Sequence, residues 1–300
     1  MSKTVSEENL KPNLKPNIVD LDTGGSMVAA PLSEEKLDLG PSMSFAHTAR
    51  AVFSSLLLII WILLMLPVFF IFKYLFTSRM HVFYKTFHRM CCYLFSMKVS
   101  TEGEISVLKP TLFLSNHISY LDIFALGSSL PGYFIAKSEV AGWPVLGQLA
   151  KMQNTLFFER KGNKIRAQLS IMSDHFDEKK NLILFPEGTS TEGEHVEPFK
   201  SSLLQSVEQA ACTVIIQPVT IAYTHYKNKP MSREVRDQYA WYATMPFGSH
   251  FFNALGLKKS CVKIIFHPTI ALTDFETRKE CAAYCGQQVA NGLNEANKSH

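Results

Sequence analysis

The sequence has few of the features that would assign a chemistry at once. Its 300 residues contain no Cys-x-x-Cys, no His-x-x-x-His and no Gly-x-Ser-x-Gly. A paired redox thiol, a helical zinc-hydrolase site and a serine nucleophile elbow therefore have no sequence support. The six cysteines include an adjacent pair, Cys91 and Cys92, and two one helical turn apart, Cys281 and Cys285. Reduced thiols in a cytosolic setting fit that usage better than a disulfide framework. Charged residues make up only 19%, with a net charge of +4, too mild to indicate nucleic acid without a motif. No zinc spacing, aromatic-basic sheet signature or long basic run supplies one.

Charge is wholly missing from one segment. Ala51 to Phe72 are 22 consecutive uncharged residues between Arg50 and Lys73, and 16 of them are Leu, Ile, Val or Phe. At about 1.5 Å per residue they reach the roughly 30 Å of a hydrocarbon core. Each large apolar side chain favours insertion by about 0.3–0.6 kcal/mol, so the segment is expected to enter a bilayer. Pro67 should kink it or mark a re-entrant turn. Met80 to Phe95 gathers Phe83, Phe87, Cys91 and Leu94 on one side, the pattern of a helix in the interface plane or of an ordinary amphipathic core helix. Lys73, Arg79, Lys85 and Arg89 closely follow the apolar run, whereas only Lys36 and Arg50 closely precede it. A protein of the cytoplasmic or inner membrane is expected, and the bias places its C-terminal portion, with the catalytic domain, in the cytoplasm.

Three regions follow. Residues 1–46 are polar, repeat Leu-Lys-Pro-Asn at 10–13 and 14–17, and read as a disordered tail. Residues 47–97 read as membrane-anchoring helices, and 98–300 as one catalytic domain. Within that domain, apolar runs at Thr111–Ser115, Gly132–Ala136, Thr155–Phe158, Asn181–Phe185, Val214–Ile221 and Cys261–Phe266 alternate with helical patterns. The alternation predicts an α/β fold with a mainly parallel sheet flanked by helices, behind an N-terminal membrane-embedded helical segment. Phe275 to Asn294 reads as a closing amphipathic helix.

Two strand ends carry polar groups suited to chemistry. Asn116-His117-Ile118-Ser119-Tyr120-Leu121-Asp122 follows the first run, and a strand-to-helix turn there brings the imidazole and the carboxylate together. Ser119 reads as the N-cap and Asp122 as N3, whose side chain tilts back toward His117. A carboxylate on one ring nitrogen fixes the tautomer and stabilises the imidazolium when the other nitrogen takes a proton. The alternative is a capping box with an idle loop histidine. At the second end, Pro186 stops the strand and Glu187-Gly188-Thr189-Ser190 follows. Gly188 can adopt φ > 0, and consecutive amides in such a turn can form an anion-binding nest. Ligands of open α/β sheets sit at the carboxyl ends of strands, where both groups fall.

Taken together, these residues resemble the glycerolipid acyltransferases of the 1-acyl-glycerol-3-phosphate acyltransferase type across Pro110 to Tyr223. His117 and Asp122 match that family's H-x4-D. Asn154 to Arg160 resembles its second block through Phe157 and Arg160, Phe185 to Thr189 matches F-P-E-G-T, and Val214 to Val219 resembles its fourth block. The sequence departs at Asn154, at Ile215, and at Ser190, where many members have an arginine. A guanidinium binds phosphate bidentately, so its absence weakens the case for a phosphate-bearing acceptor.

The resemblance implies an O-acyltransferase. A lysolipid hydroxyl attacks the thioester of an acyl-carrier protein or acyl-CoA, giving phosphatidic acid if the acceptor is 1-acyl-glycerol-3-phosphate, with no metal or other cofactor. A free imidazole titrates near about 6.5 and can accept the hydroxyl proton. His117 and Asp122 are the expected catalytic pair. Asn116, Lys137, Arg160, Glu187, Gly188 and Thr189 are the expected substrate-binding residues: Asn116 or turn amides for the oxyanion, Lys137 or Arg160 for the head group, and Glu187 to position the glycerol or orient Arg160. A lyso-ornithine lipid or another lysolipid is the alternative acceptor, favoured by Ser190. A membrane-attached, non-catalytic lipid-binding protein is the reading from another class.

Overall fold

The computed structural model describes residues 44–159 and 164–298. Arg160 and residues 1–43 of the expected tail lie outside them. Ser44 already caps the first helix, its hydroxyl accepting from His47 N at 3.3 Å, so Phe45 and Ala46 belong to the helix and not to the tail.

Helix α1 (Phe45–Leu75) runs on through Pro67, so the expected re-entrant turn is not formed. It is long and apolar enough to cross a membrane. One stripe nevertheless rests on protein: Ala51, Ser54, Leu58 and Phe69 are buried, while Phe53, Ile59, Leu63, Leu64 and Ile71 are exposed. Helix α2 (Met80–Leu94) is a packed helix rather than one with its apolar face free for lipid. Phe83, Phe87, Cys91, Cys92 and Leu94 are buried, and so is His88, whose Nε2 meets Gln153 Oε1 at 3.0 Å.

The expected boundary at residue 98 cuts through a strand. β1 (Met97–Glu102) lies at the edge of a sheet that continues with β2 (Thr111–Ser115), β3 (Tyr133–Lys137), β4 (Leu156–Phe158), β5 (Leu182–Leu184), β6 (Ile215–Tyr226), β7 (Lys229–Pro230), β8 (Ser260–Phe266) and β9 (Ile270–Ala271). The spatial order is β1-β8-β6-β2-β5-β3-β4, with β7 and β9 also on β6. β6 pairs antiparallel with β7, β8 and β9, and the remaining pairs are parallel, so the sheet is mixed and mostly parallel. Helices α3 (Leu121–Gly127), α4 (Leu146–Met152), α5 (Ile165–Asp177), α6 (Gln205–Gln209), α7 (Arg233–Asp237), α8 (Phe247–Gly256) and α9 (Arg278–Lys298) complete the chain.

Central strands buried on both faces need continuous apolar runs, and β2 is buried at all five positions. Along β6 the alternation divides the core. Val219, Ile221 and Tyr223 join the cluster containing Leu121, Ala125 and Leu58, whereas Ala222 packs with Leu293 and Ala296 of α9. The first face is the one that carries the polar loop after β2.

Candidate active site

Neighbouring parallel strands β2 and β5 end side by side, and the loops leaving them interlock. His117 Nδ1 lies 2.9 Å from Asp122 Oδ2. The same oxygen accepts the backbone N–H groups of Ile118 at 2.7 Å and Ser119 at 2.9 Å. Asp122 Oδ1 accepts the Tyr223 hydroxyl at 2.9 Å. A carboxylate with no exposed surface is costly unless its lone pairs are matched, and here four donors match them. Charge-assisted bonds of this kind contribute about 1.5–3 kcal/mol each. With Nδ1 held as donor to the carboxylate, Nε2 is left as the basic nitrogen. The His117 side chain is 21% exposed against 0% for Asp122, so it opens outward from a closed anchor. Its ring lies on that of Phe185, with centroids 4.1 Å apart and planes 20° from parallel.

The expected helix cap takes a different form. Asp122 N donates to Ser119 O at 3.0 Å, but Tyr120 occupies the cap position and the buried Ser119 hydroxyl has no partner. The carboxylate of Asp122, the second residue of α3, instead accepts the N–H groups of Ile118 and Ser119 in the loop that precedes the helix.

Asn116, expected as an oxyanion donor, is buried with its side-chain amide turned toward β6. Its Nδ2 donates to Ile221 O at 3.0 Å and its Oδ1 accepts Ile221 N at 2.8 Å, so both ends of the buried amide fasten the loop to β6. Glu187 is also turned inward. Oε1 accepts His117 N at 2.6 Å and Oε2 accepts Glu197 N at 2.7 Å, with the residue only 2% exposed. It ties the His117 loop to the loop after β5, its carboxylate turned away from the surface. Burial pushes its carboxyl up to about 7, against the pull of the two N–H bonds. Gly188 takes the expected positive φ, +71°, and its N–H returns to Phe185 O at 3.1 Å. Thr189 is exposed beside it. Lys137 is exposed at the carboxyl end of β3, on the far side of β5 from β2. The same edge of the sheet therefore carries His117, the Glu187 turn and Lys137.

Several neighbours have no precedent in the motif pattern. Trp241 N donates to Ile118 O at 3.0 Å, and Trp241 O accepts the Ser190 hydroxyl at 2.6 Å. An aromatic wall of Tyr120, Trp143, Trp241, Phe247 and Phe251 rises from there, with Trp143 and Phe247 centroids 4.8 Å apart and Tyr120 and Phe247 5.0 Å apart. Tyr223 lies four residues beyond the fourth block, where no motif marks it. Trp241 and Phe247 lie outside any recognised pattern.

An open basic nitrogen on a buried carboxylate, at the carboxyl edge of a mostly parallel sheet, can take a proton from a hydroxyl that attacks an acyl group. An acyltransferase family model matches residues 96–222. Over 213 residues the chain is 33% identical to the lyso-ornithine lipid O-acyltransferase of Rhodobacter capsulatus, covering 70% of this chain and 75% of that one. Over 156 residues it is 30% identical to the 1-acyl-sn-glycerol-3-phosphate acyltransferase of Neisseria gonorrhoeae, covering 52% and 58% respectively. The fold is shared with the crystal structure of the 1-acyl-sn-glycerophosphate acyltransferase PlsC from Thermotoga maritima, at a TM-score of 0.61 and 20% identity over 84% of this chain and 95% of that one. Fold and matched segment define an α/β acyltransferase domain. The chain belongs to the acyltransferase family and is an acyltransferase.

Proposed function

We propose that this enzyme acylates a lysolipid hydroxyl and that its acceptor is a lyso-ornithine lipid. Ser190 carries the choice of acceptor. Where an arginine would offer phosphate a bidentate fork, this chain has a hydroxyl directed into the Trp241 carbonyl. Relatives from Rhizobium meliloti and Brucella abortus, 30% and 34% identical, also bear the lyso-ornithine lipid name. 1-Acyl-glycerol-3-phosphate is the second reading, supported by the Neisseria relative and by Lys137 at the same sheet edge.

In the reaction, His117 Nε2 takes the acceptor's hydroxyl proton as the oxygen attacks the thioester carbonyl of an acyl-carrier protein or CoA. The C–O bond forms, the C–S bond breaks, and the proton passes to the departing thiolate. Asp122 holds Nδ1 and stabilises the transient imidazolium. The acceptor diffuses within the bilayer to which α1 holds the domain, while the thioester arrives from the aqueous side.

The test pairs lyso-ornithine lipid and 1-acyl-glycerol-3-phosphate with one acyl donor and purified full-length enzyme. Preferential turnover of the first is expected; turnover of the phosphate acceptor alone would overturn the choice. His117→Ala should lower kcat by about 10³-fold or more with the fold retained, and an active variant would remove the base from the mechanism.

A further inference from the structure

The two oxygens of Asp122 face different parts of the molecule. Oδ2 serves the catalytic loop, through His117 Nδ1 and the amides of Ile118 and Ser119. Oδ1 points into the core and meets a group from a strand some hundred residues away, the Tyr223 hydroxyl at 2.9 Å. Alternation along β6 sends the side chain of Tyr223 to the α3 face, and Asn116 fixes the register two residues earlier by bonding both backbone groups of Ile221. The phenol is itself immobilised: it has no exposed surface and its ring lies 5.6 Å from that of Tyr239.

We propose that Tyr223 is a positioning residue for acyl transfer, clamping Asp122 Oδ1 so that Oδ2 stays on His117 Nδ1 and the imidazole keeps Nε2 free. The inference rests on the reading of His117 as the base. Asp122 is the first side-chain atom set beyond the histidine, and among the described residues Tyr223 is the one donor on Oδ1. Were the hydroxyl missing, Oδ1 would be a buried acceptor without a partner, a costly arrangement that the carboxylate relieves by rotating toward other donors. Rotation would move Oδ2 off Nδ1 and release the tautomer. Tyr223 stays a donor throughout the cycle, because burial, followed by the Asp122 charge, pushes its hydroxyl well above the ordinary value of 10. The proton taken from the acceptor therefore moves only between His117 and the leaving thiolate.

The test compares the full-length wild type with Tyr223→Phe, Asp122→Asn and the double variant, using lyso-ornithine lipid, 1-acyl-glycerol-3-phosphate and an acyl-carrier-protein thioester. Tyr223→Phe should lower kcat about tenfold with the lysolipid KM within about twofold. Asp122→Asn should lower it by at least about a hundredfold, and the double variant should be no slower than Asp122→Asn alone, since residues acting through one group are not additive. Tyr223→4-aminophenylalanine retains a donor and should recover most of the loss; because it satisfies Oδ1, it also carries the test if the Phe variant does not fold. The clamp is overturned if Tyr223→Phe turns over like wild type, if KM rises while kcat holds, if the two losses multiply, or if the aminophenylalanine variant is no better than Phe. Full activity of Asp122→Asn on both acceptors would remove the carboxylate from the mechanism, and the clamp with it, whereas full activity of His117→Ala would remove the base reading itself.

Discussion

Two buried carboxylates on the loops that leave neighbouring strands β2 and β5 have different surroundings. Asp122 is matched by four donors, whereas Glu187 has two backbone N–H bonds and is otherwise walled in, which is why burial lifts it to about 7. Between its ordinary value near 4.5 and about 7, the unfolded chain has lost the Glu187 proton while the native state keeps it. Fewer protons on the unfolded side mean that stability falls as pH rises through that window. The contribution is present in full below about 4.5 and is lost by about 7, on the order of 3 kcal/mol in all. Urea midpoints between pH 4.5 and 8 should therefore fall more steeply for wild type than for Glu187→Gln, whose amide does not titrate. Equal slopes would show that this carboxyl ionises as freely as an exposed one. The amide must also turn an NH₂ toward either His117 N or Glu197 N, so kcat should drop by roughly tenfold as the loop loosens. Ser190 offers a separate test of selectivity. Ser190→Arg removes the bond to Trp241 and places a guanidinium beside the Glu187 turn. The ratio of kcat/KM for 1-acyl-glycerol-3-phosphate over lyso-ornithine lipid should rise on the order of tenfold; an unchanged ratio would mean position 190 does not read the head group.

Among the elements, legibility followed burial pattern. β2 could be read because Thr111–Ser115 is apolar almost throughout and bounded by Pro110, and β5 because Pro186 stops it. β1 could not, since only Met97 of Met97–Glu102 is buried and its pairing with β8 is long-range. α8 was missed because Gly248, Ser249 and His250 interrupt its apolar residues; its aromatic face is defined by Tyr120, Trp143 and Trp241 from elsewhere. The His117–Asp122 contact was visible because it is local. Tyr223 was not, because a tyrosine ending a continuous buried strand reads as core until its hydroxyl is seen to face a carboxylate. Asn116 and Glu187 were legible as polar residues at strand ends, but only the fold shows that their side chains turn inward. The α2–α3 contact gives the element-scale test. A Cβ on Gly127 would fall 2.4 Å from His88 Cδ2, and the ring cannot retreat, being bonded to Gln153 and packed against Phe124 and Phe134. Gly127→Ala should cost about 1–3 kcal/mol, lowering the thermal midpoint by roughly 2–12 °C. Adding His88→Ala should recover part of that loss, since the two changes share one space. Two losses that simply add would place the strain elsewhere.

At the scale of the whole molecule, α1 has two faces, one docked on the domain and one apolar and exposed, and single substitutions can separate what each contributes. Its docked stripe is fixed at the start by His47 Nε2 on Asn253 Oδ1 at 2.9 Å and by Arg50, which donates to Leu257 O at 2.9 Å and to the Ser96 hydroxyl. Gly256 permits that approach: a Cβ there would sit 2.3 Å from the His47 ring. Further along, Leu58 enters the main core cluster, with Trp61, Ile62 and Met65 against it. Leu63, by contrast, is 60% exposed on a helix apolar enough for lipid. Leu58→Asp should bury an unpaired carboxylate between helix and domain, cost about 3 kcal/mol or more, and depress the thermal midpoint even in detergent. Leu63→Asp should leave that midpoint unchanged. Its effect should appear in co-sedimentation with vesicles, where exchanging a leucine for an aspartate near mid-bilayer costs about 3 kcal/mol, on the order of a hundredfold in partitioning. If Leu63→Asp bound vesicles like wild type, the exposed face of α1 would not be the surface that meets lipid, and delivery of a membrane-borne acceptor to His117 would need another route.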